Sequence, residues 1–394
     1  MIREQNHDIK PLVTDCSFIN HPAELSTEEM TKVFSFMFHA WSIPVLVLFM
    51  IYGTLVMKHA FVIKNTKDQE VLDFLNESTY LNEILLAGLF YASGILWPFL
   101  YDLTGASPAG TDFLYAVSTI TILAVSSNWY GQGLFNFIRC RRGEKGYLEK
   151  RKRLDEEAGI LEKYRAGCAY GIGVDARRKF LHLLPGLIII LVQWGSFVLK
   201  NSTTIYADLG ITREAFAIFG ESTIAYIFVF MIGYADYLRL MAYYQLPNWA
   251  KRWFFSSVKR SEMKTFVSSC ALVLTLTPFL FAPMQIFVSV AFVSSLADAA
   301  ANLIGRKWGK HNFPKGSSKT EAGYIAGTAS AFIVVLVFSS WFNYTALPML
   351  LIFYLACTAS AIFFMIDRFS KNLSDNILNP LLTGAGMLLV FFIL

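Results

Sequence analysis

Ten apolar stretches, each roughly 20 residues long, constrain this chain more than any other feature of its sequence. Hydrocarbon offers a backbone N–H or C=O no hydrogen-bond partner, so runs of this length read as membrane-spanning helices. The spans are expected at Val33–Met57, Leu81–Tyr101, Phe113–Ile138, Phe180–Leu199, Ala215–Tyr234, Thr265–Phe281, Met284–Ile304, Gly323–Phe342, Leu347–Ile366 and Ile377–Leu394. The predicted fold class is therefore all-α: a polytopic membrane protein of about ten transmembrane helices. Only 16% of residues are charged and 55% are hydrophobic, with 35 Phe. A soluble domain carries about a quarter charged residues, so both a disordered chain and an ordinary water-soluble enzyme are excluded. Cys16, Cys140, Cys168, Cys270 and Cys357 show no paired spacing, which argues against a disulfide framework or a thiolate zinc site.

Sidedness follows from where Lys and Arg fall. The connection Arg139–Lys179 is densely basic, so it is expected in the cytosol. Alternation then places Lys58–Tyr80, Gln245–Lys264, Gly305–Ala322 and Asp367–Asn376 on the same side, and each carries basic residues. The N-terminal segment is acidic on balance and Asp102–Asp112 has no Lys or Arg. The N-terminus is thus predicted non-cytosolic, with no cleavable signal. Trp41, Trp97, Trp129, Trp194 and Trp341 fall near span ends, as an interfacial aromatic belt would place them.

The chain divides near residue 170. Residues 1–170 are expected to hold three spans and a basic amphipathic helix, Gly143–Ala166, lying along the inner leaflet. Gly167–Gly173 reads as a joint, and residues 171–394 form a seven-span unit. That second part holds nearly all the ionisable groups at span ends, and in a membrane such groups point to function.

Five clusters carry them. Ala176-Arg-Arg-Lys-Phe-Leu-His182 opens the fourth span, with Arg178 and His182 on one helical face beside Lys179. Asp236 and Arg239 close the fifth span at pairing distance. Arg260 and Glu262 precede the sixth. The most specific stretch ends the seventh span: Asp298, Asn302 and Gly305 share a helical face, followed by Arg306, Gly309, Lys310, Lys319, Thr320 and Glu321. A carboxylate and an amide oxygen suit a hard divalent cation that keeps substrate phosphates around it. The glycines would admit backbone amides to phosphate oxygens. Ser318-Lys-Thr-Glu321 has capping-box spacing, which places a helix N-terminus beside Lys319. Read blandly, the stretch is a small-residue packing face followed by a basic loop, which leaves the aspartate unexplained. Ser374-Asp375-Asn376 leads into the last span, with Ser374 a possible N-cap.

Motifs that are lacking narrow the chemistry. No P-loop, dinucleotide fingerprint, zinc-protease His-Glu-x-x-His or Gly-x-Ser-x-Gly occurs in the chain. The basic residues follow the inner-leaflet pattern, so no nucleic-acid partner is expected.

Taken in order, Arg177-Arg-Lys-Phe-Leu-His182, Asp236-Tyr-Leu-Arg239, Arg260-Ser-Glu262, Asp298-Ala-Ala-Ala-Asn-Leu-Ile-Gly-Arg-Lys-Trp-Gly309, Ser318-Lys-Thr-Glu-Ala-Gly323 and Ser374-Asp-Asn-Ile-Leu-Asn-Pro380 resemble the CTP-dependent lipid kinases. That family includes dolichol kinase, phytol (polyprenol) kinase and the CTP-dependent diacylglycerol kinase. The resemblance covers about Val174 to Leu394; residues 1–170 show none. The family pattern usually reads Lys-Thr-x-Glu-Gly, whereas Glu321 here stands one position early. CDP-diacylglycerol synthase shares the Asp298–Thr320 pattern, but its Pro-Gly-His-Gly-Gly run is missing, so it ranks second. A transporter is the rival from another class.

The resemblance implies transfer of the γ-phosphate of CTP to a membrane lipid alcohol at the cytosolic face, a polyprenol first and phytol or diacylglycerol next. It further implies Mg²⁺ held by Asp298 with Asn302. Phosphates would meet Arg306, Lys310, Lys319, Thr320 and the backbone at Gly305 and Gly309, with Arg178 and Lys179 completing the anion pocket. Asp236 or Asp375 would orient or deprotonate the hydroxyl. His182, Arg239, Arg260, Glu262, Glu321 and Asn376 would contact the lipid head or support the site. The expected location is the endoplasmic reticulum membrane in a eukaryote and the plasma membrane in a prokaryote.

Overall fold

The computed structural model describes residues 39–67, 79–142, 172–242, 245–247, 249–251, 264–266, 268–313, 319–342, 346–370 and 373–394, without the side chains of 139–142, 172–178, 181 and 268–269. Arg178, Arg260, Glu262, Ser318, the amphipathic stretch at 143–166 and most of the glycine joint lie outside what is described. Gly173, the end of that joint, is already helical.

The described chain is built from helices. A 3₁₀ turn, Ala40–Ser42, runs into α1, Ile43–Asn65, with Pro44 in the first turn, where its missing N–H has no bond to lose. Next come α2, Thr79–Leu96, and α3, Pro108–Arg142. The fourth helix, α4, Ile172–Ser202, contains Pro185. A single turn, Ile205–Leu209, closes on Gly210 with φ +64°, a left-handed position that favours glycine. Thr212 caps α5, Arg213–Met241, by accepting the Ala215 N–H at 3.0 Å. The short α6, Ser268–Leu274, is followed by α7, Met284–Trp308, which holds a π turn at Val293–Ala297. Last come α8, Glu321–Trp341; α9, Met349–Phe369; and α10, Asp375–Ile393.

Among the described residues nine helices are long and apolar enough to cross a membrane, one fewer than the ten spans expected. The difference is Thr265–Phe281. Its apolar helical part is Cys270–Phe279, with Pro278 inside a 3₁₀ turn and Pro283 just beyond. Even so, this segment climbs alongside α2. Phe266 meets Glu83 near one end of α2, and Thr277 meets Ser93 near the other. Ten helical residues separate Glu83 from Ser93, a rise of about 15 Å. The described part of the first span, Ala40–Asn65, runs past the expected end at Met57, while residues 33–38 lie outside what is described.

Contacts sort the helix ends into two sets. Lys319 with Asp367, Glu83 with Phe266 and Asn82 with Ser374 join ends at the Lys- and Arg-rich side, the basic end. His39 with Asp102, Thr212 with Thr104 and Ser107 with Gly210 join the opposite ends.

Two cores hold the bundle. One collects Phe49, Phe90, Trp97 and Tyr115 from before residue 170, and Tyr226, Phe230, Leu274 and Ile377 from after it. The other is made by Phe287, Val290, Val335, Ala359 and Phe363, with Ile189 from α4. Packing thus runs across the boundary placed near residue 170. Trp97 is fully buried beneath Tyr101 and Tyr115, so it is a core residue and not part of an aromatic belt. Leu191, Ile325, Leu389 and Phe392 are exposed, which suits a surface facing hydrocarbon.

Candidate functional site

The most specific of the sequence clusters sits on α7. The π turn widens that helix immediately before Asp298, and π turns often mark functional positions. Asp298 lies ten residues before the helix ends at Trp308, so it is about 15 Å inside that end. The helix runs four residues beyond Ile304, the expected end of this span. The carboxylate forms an ion pair with Lys179 of α4, and both side chains are largely buried, 14% and 5% exposed. Two clusters separated by more than a hundred residues therefore meet at one point, while Arg178, the expected anion binder, is not among the described side chains. His182, a turn from Lys179, is buried as well.

One turn after Asp298, the Asn302 Oδ1 is buried with no hydrogen-bond partner. A buried acceptor in that state carries a desolvation cost that a cation or a donor would relieve. Among the described residues no three His, Cys, Asp or Glu side chains gather as a metal cage. The donor set still fits Mg²⁺, which commonly takes one or two protein oxygens and fills its remaining positions with water and substrate phosphates.

Toward the end of α7 the glycines serve packing. A Cβ on Gly305 would come within 3.0 Å of the Thr320 hydroxyl, and one on Gly323 within 2.8 Å of the Ala301 carbonyl. A Cβ on Gly309 would lie only 2.3 Å from the Thr320 hydroxyl. These positions bring α7 and α8 into backbone contact, which accounts for Gly305 and Gly309 without invoking phosphate. Ser318, the expected partner in a capping box, lies outside the described residues. Thr320 is the N-cap of α8 and accepts the Gly323 N–H at 3.3 Å, while Glu321 becomes the exposed first residue of the helix. The Thr320 hydroxyl also donates to the Gly305 carbonyl at 3.2 Å. Next to it, Lys319 Nζ donates to Asp367 Oδ1 at 2.6 Å. Asp367 opens the connection expected after Ile366 and belongs, with Arg368, to the cluster that leads to Ser374, but it was given no role in the site. Arg306 and Lys310 are exposed at this end.

A second group surrounds Asp236. This residue is fully buried, and its Oδ1 accepts from Arg239 Nε at 3.1 Å. Arg239 also donates to the Thr265 carbonyl. Asp236 therefore holds an arginine in place, and a fully buried carboxylate is poorly placed to meet an incoming hydroxyl. Asp375, by contrast, is exposed in the first turn of α10, where its Oδ1 accepts the Asn376 N–H at 3.0 Å. Ser374 occupies the N-cap position but makes no side-chain cap; its N–H donates to Asn82 Oδ1 at 2.7 Å.

Several ionisable residues escaped the sequence reading. Glu83 is buried with His59 at 2.7 Å, and Glu221 is buried with Gln193 at 2.9 Å. Each acid lay inside a predicted span, so the signal was present. Glu221 lines an apolar cavity of about 90 Å³ between α4, α5 and α6, whose walls include Leu184, Ile188, Phe228 and Leu276. Leu184 and Ile224 in its lining are each 40% exposed, so the cavity reaches the side of the bundle. Along α4 it begins five residues beyond Lys179, about 7.5 Å deeper in the bundle.

Comparison with protein-family models, with curated proteins and with solved structures finds no match for this chain.

Proposed function

We propose that this chain transfers the γ-phosphate of CTP to the hydroxyl of a membrane lipid alcohol, at a basic end that faces the cytosol. The observation that carries the reading is the Lys179–Asp298 pair. It joins two of the ordered motifs through a largely buried contact between α4 and α7. An ion pair in hydrocarbon is costly, and well-packed apolar residues would serve stability as well. The choice of CTP and of a prenol-like acceptor rests on the motif resemblance alone.

Phosphoryl transfer asks chiefly for positioning and charge neutralisation. In this reading Asp298 and Asn302 would hold Mg²⁺, which would neutralise phosphate charge when bound. Lys179 is released from Asp298 as the triphosphate enters and turns to a phosphate oxygen. Lys319 leaves Asp367 in the same way, and the capped N-terminus of α8 lies next to it. Arg306 and Lys310 draw the nucleotide in from solvent. Asp375, exposed at the same end, orients the acceptor hydroxyl, while Asp236 keeps Arg239 fixed. The acceptor's hydrocarbon lies in the side-opening cavity beyond Lys179.

The deciding experiment gives purified protein a prenol, diacylglycerol and CTP labelled in turn on the γ-phosphate and on cytidine. Label from the γ-phosphate in the lipid supports the kinase. Cytidine in the lipid supports the synthase-like alternative and overturns this reading. The depth of Asp298 also favours a second reading, a transporter, because intramembrane ion pairs line transport pathways. Absence of either label, together with solute uptake into proteoliposomes, would establish it.

A further inference from the structure

Outside the ordered motifs, the start of α2 makes the most specific contacts in the bundle. Glu83 is 2% exposed, and both its carboxylate oxygens are used: Oε1 accepts the Phe266 backbone N–H at 3.0 Å and Oε2 is bonded to His59 Nδ1 at 2.7 Å. The preceding residue, Asn82, accepts the Ser374 backbone N–H through Oδ1 at 2.7 Å. One turn of helix thus grips two chain segments from the far side of residue 170. Both segments border proposed site residues. Thr265, next to Phe266, accepts through its carbonyl from Arg239, which in turn donates to Asp236 at 3.1 Å. Ser374 directly precedes Asp375 and Asn376. A continuous bonded path therefore runs from His59 through Glu83, Phe266, Thr265 and Arg239 to Asp236.

Phe266 lies outside any helix, so its buried N–H needs an acceptor from elsewhere, and Glu83 supplies it. Stability alone gives little reason for this choice, since a buried carboxylate costs more than an apolar contact of the same size. A hydrogen bond to a charged acceptor does fix geometry tightly.

We infer that Glu83 and Asn82 are positioning residues. The first holds the 264–266 segment so that Arg239 is presented correctly; the second holds the start of α10 so that Asp375 and Asn376 are. The helices before residue 170 are then part of the site and not an appended unit. What Arg239 and Asp375 act on rests on the kinase reading; the grip itself does not.

The test uses the full chain in detergent, with Glu83→Ala, Glu83→Gln and Asn82→Ala. Two quantities are read: amide hydrogen exchange at Phe266 and Ser374, and steady-state transfer from γ-labelled CTP to a prenol. Losing a buried bond to a charged acceptor should speed Phe266 exchange by roughly tenfold or more in Glu83→Ala. The kcat should fall by a similar factor while the KM for CTP stays within about twofold, since positioning and not ground-state binding is lost. Glu83→Gln keeps a carbonyl acceptor and should restore both protection and most of the kcat. Asn82→Ala should loosen Ser374 and leave Phe266 protected. A Phe266 amide as protected in Glu83→Ala as in the parent would overturn the inference, and so would faster exchange with full kcat. Should Glu83→Ala fail to fold, a Glu83→Gln protein as impaired as Asn82→Ala would do the same. If exchange behaves as expected and even the parent transfers no phosphate, the grip stands and the kinase reading falls.

Discussion

The two ends of this bundle solve the same problem, polar groups in an apolar setting, by different chemistry. The end opposite the basic one uses neutral hydroxyls. Tyr101 is hydrogen-bonded to Ser118 at 2.7 Å and to Ser222 at 3.0 Å, Ser118 meets Thr223, and Tyr115 donates to the Trp97 carbonyl at 3.1 Å. Edge-on and tilted rings surround them. The basic end uses charge: Lys179 with Asp298, Arg239 with Asp236, Lys319 with Asp367. Neutral networks that satisfy every member hold a fold at modest cost. Buried ion pairs are weak evidence for stability and better evidence for a task. The contrast separates what holds the bundle together from what it is for.

The sharpest way to break that contrast is at Asp298. Asp298→Ala should reduce lipid phosphorylation by roughly 100-fold or more, as loss of a central electrostatic group does. Because it also strands Lys179, it should destabilise by about 3–5 kcal/mol. The double variant Lys179→Met with Asp298→Leu removes both charges, so it should recover thermal stability without recovering activity. A double variant that stays active, measured by label transfer, would move Asp298 to the structural class. A smaller effect is expected in the cavity. Ile188→Trp should raise the KM for a long-chain acceptor by roughly tenfold and leave the KM for CTP unchanged; equal shifts in both would remove the cavity from the substrate path. At the opposite end, Tyr101→Phe leaves Ser118 and Ser222 short of a partner. It should cost about 1–3 kcal/mol in thermal unfolding and leave turnover per folded molecule intact.

This division also explains how much was legible in the sequence. Helix number and order follow from apolar run length, which needs no knowledge of neighbours. The short α6 broke the count because Pro278 and Pro283 truncate an apolar run that hydropathy alone reads as continuous. Spacing on one helix made the Asp236–Arg239 contact readable. No spacing rule brings Lys179 to Asp298 or Lys319 to Asp367, since these pairs are made by packing between helices. Gly305 and Gly309 show the opposite failure. A glycine needed for close helix contact and one needed for phosphate look alike in sequence, and only the Thr320 hydroxyl seated against them distinguishes the two. Glu83 and Glu221 were visible as acids within apolar runs, yet they belonged to no recognisable motif and were passed over.

The smallest expected effect concerns a histidine held by two carboxylates at the end opposite the basic one, where Arg213 and Glu214 form a further ion pair at 3.1 Å. His39 is bonded to Asp102 at 2.9 Å and to Asp112, and it stacks on Tyr115 with ring centroids 4.8 Å apart. Burial pulls its pKa down, but the two carboxylates outweigh this and raise it above the ordinary 6.5. A histidine whose folded-state pKa is raised contributes stability that is fully present below its unfolded value and is lost as pH climbs through the raised one. Melting temperature should therefore decline more steeply in the parent than in His39→Gln as pH rises above the ordinary histidine value of 6.5. Asp112→Asn should lie between them, because Asp102 still faces the ring. Parallel profiles for parent and His39→Gln would show that the ring stays neutral, held as one more uncharged partner among the tyrosines and serines beside it. The buried hydroxyl network around Tyr101 would then stand without a charged histidine beside it, and the contrast with the ion pairs of the basic end would rest on that network alone.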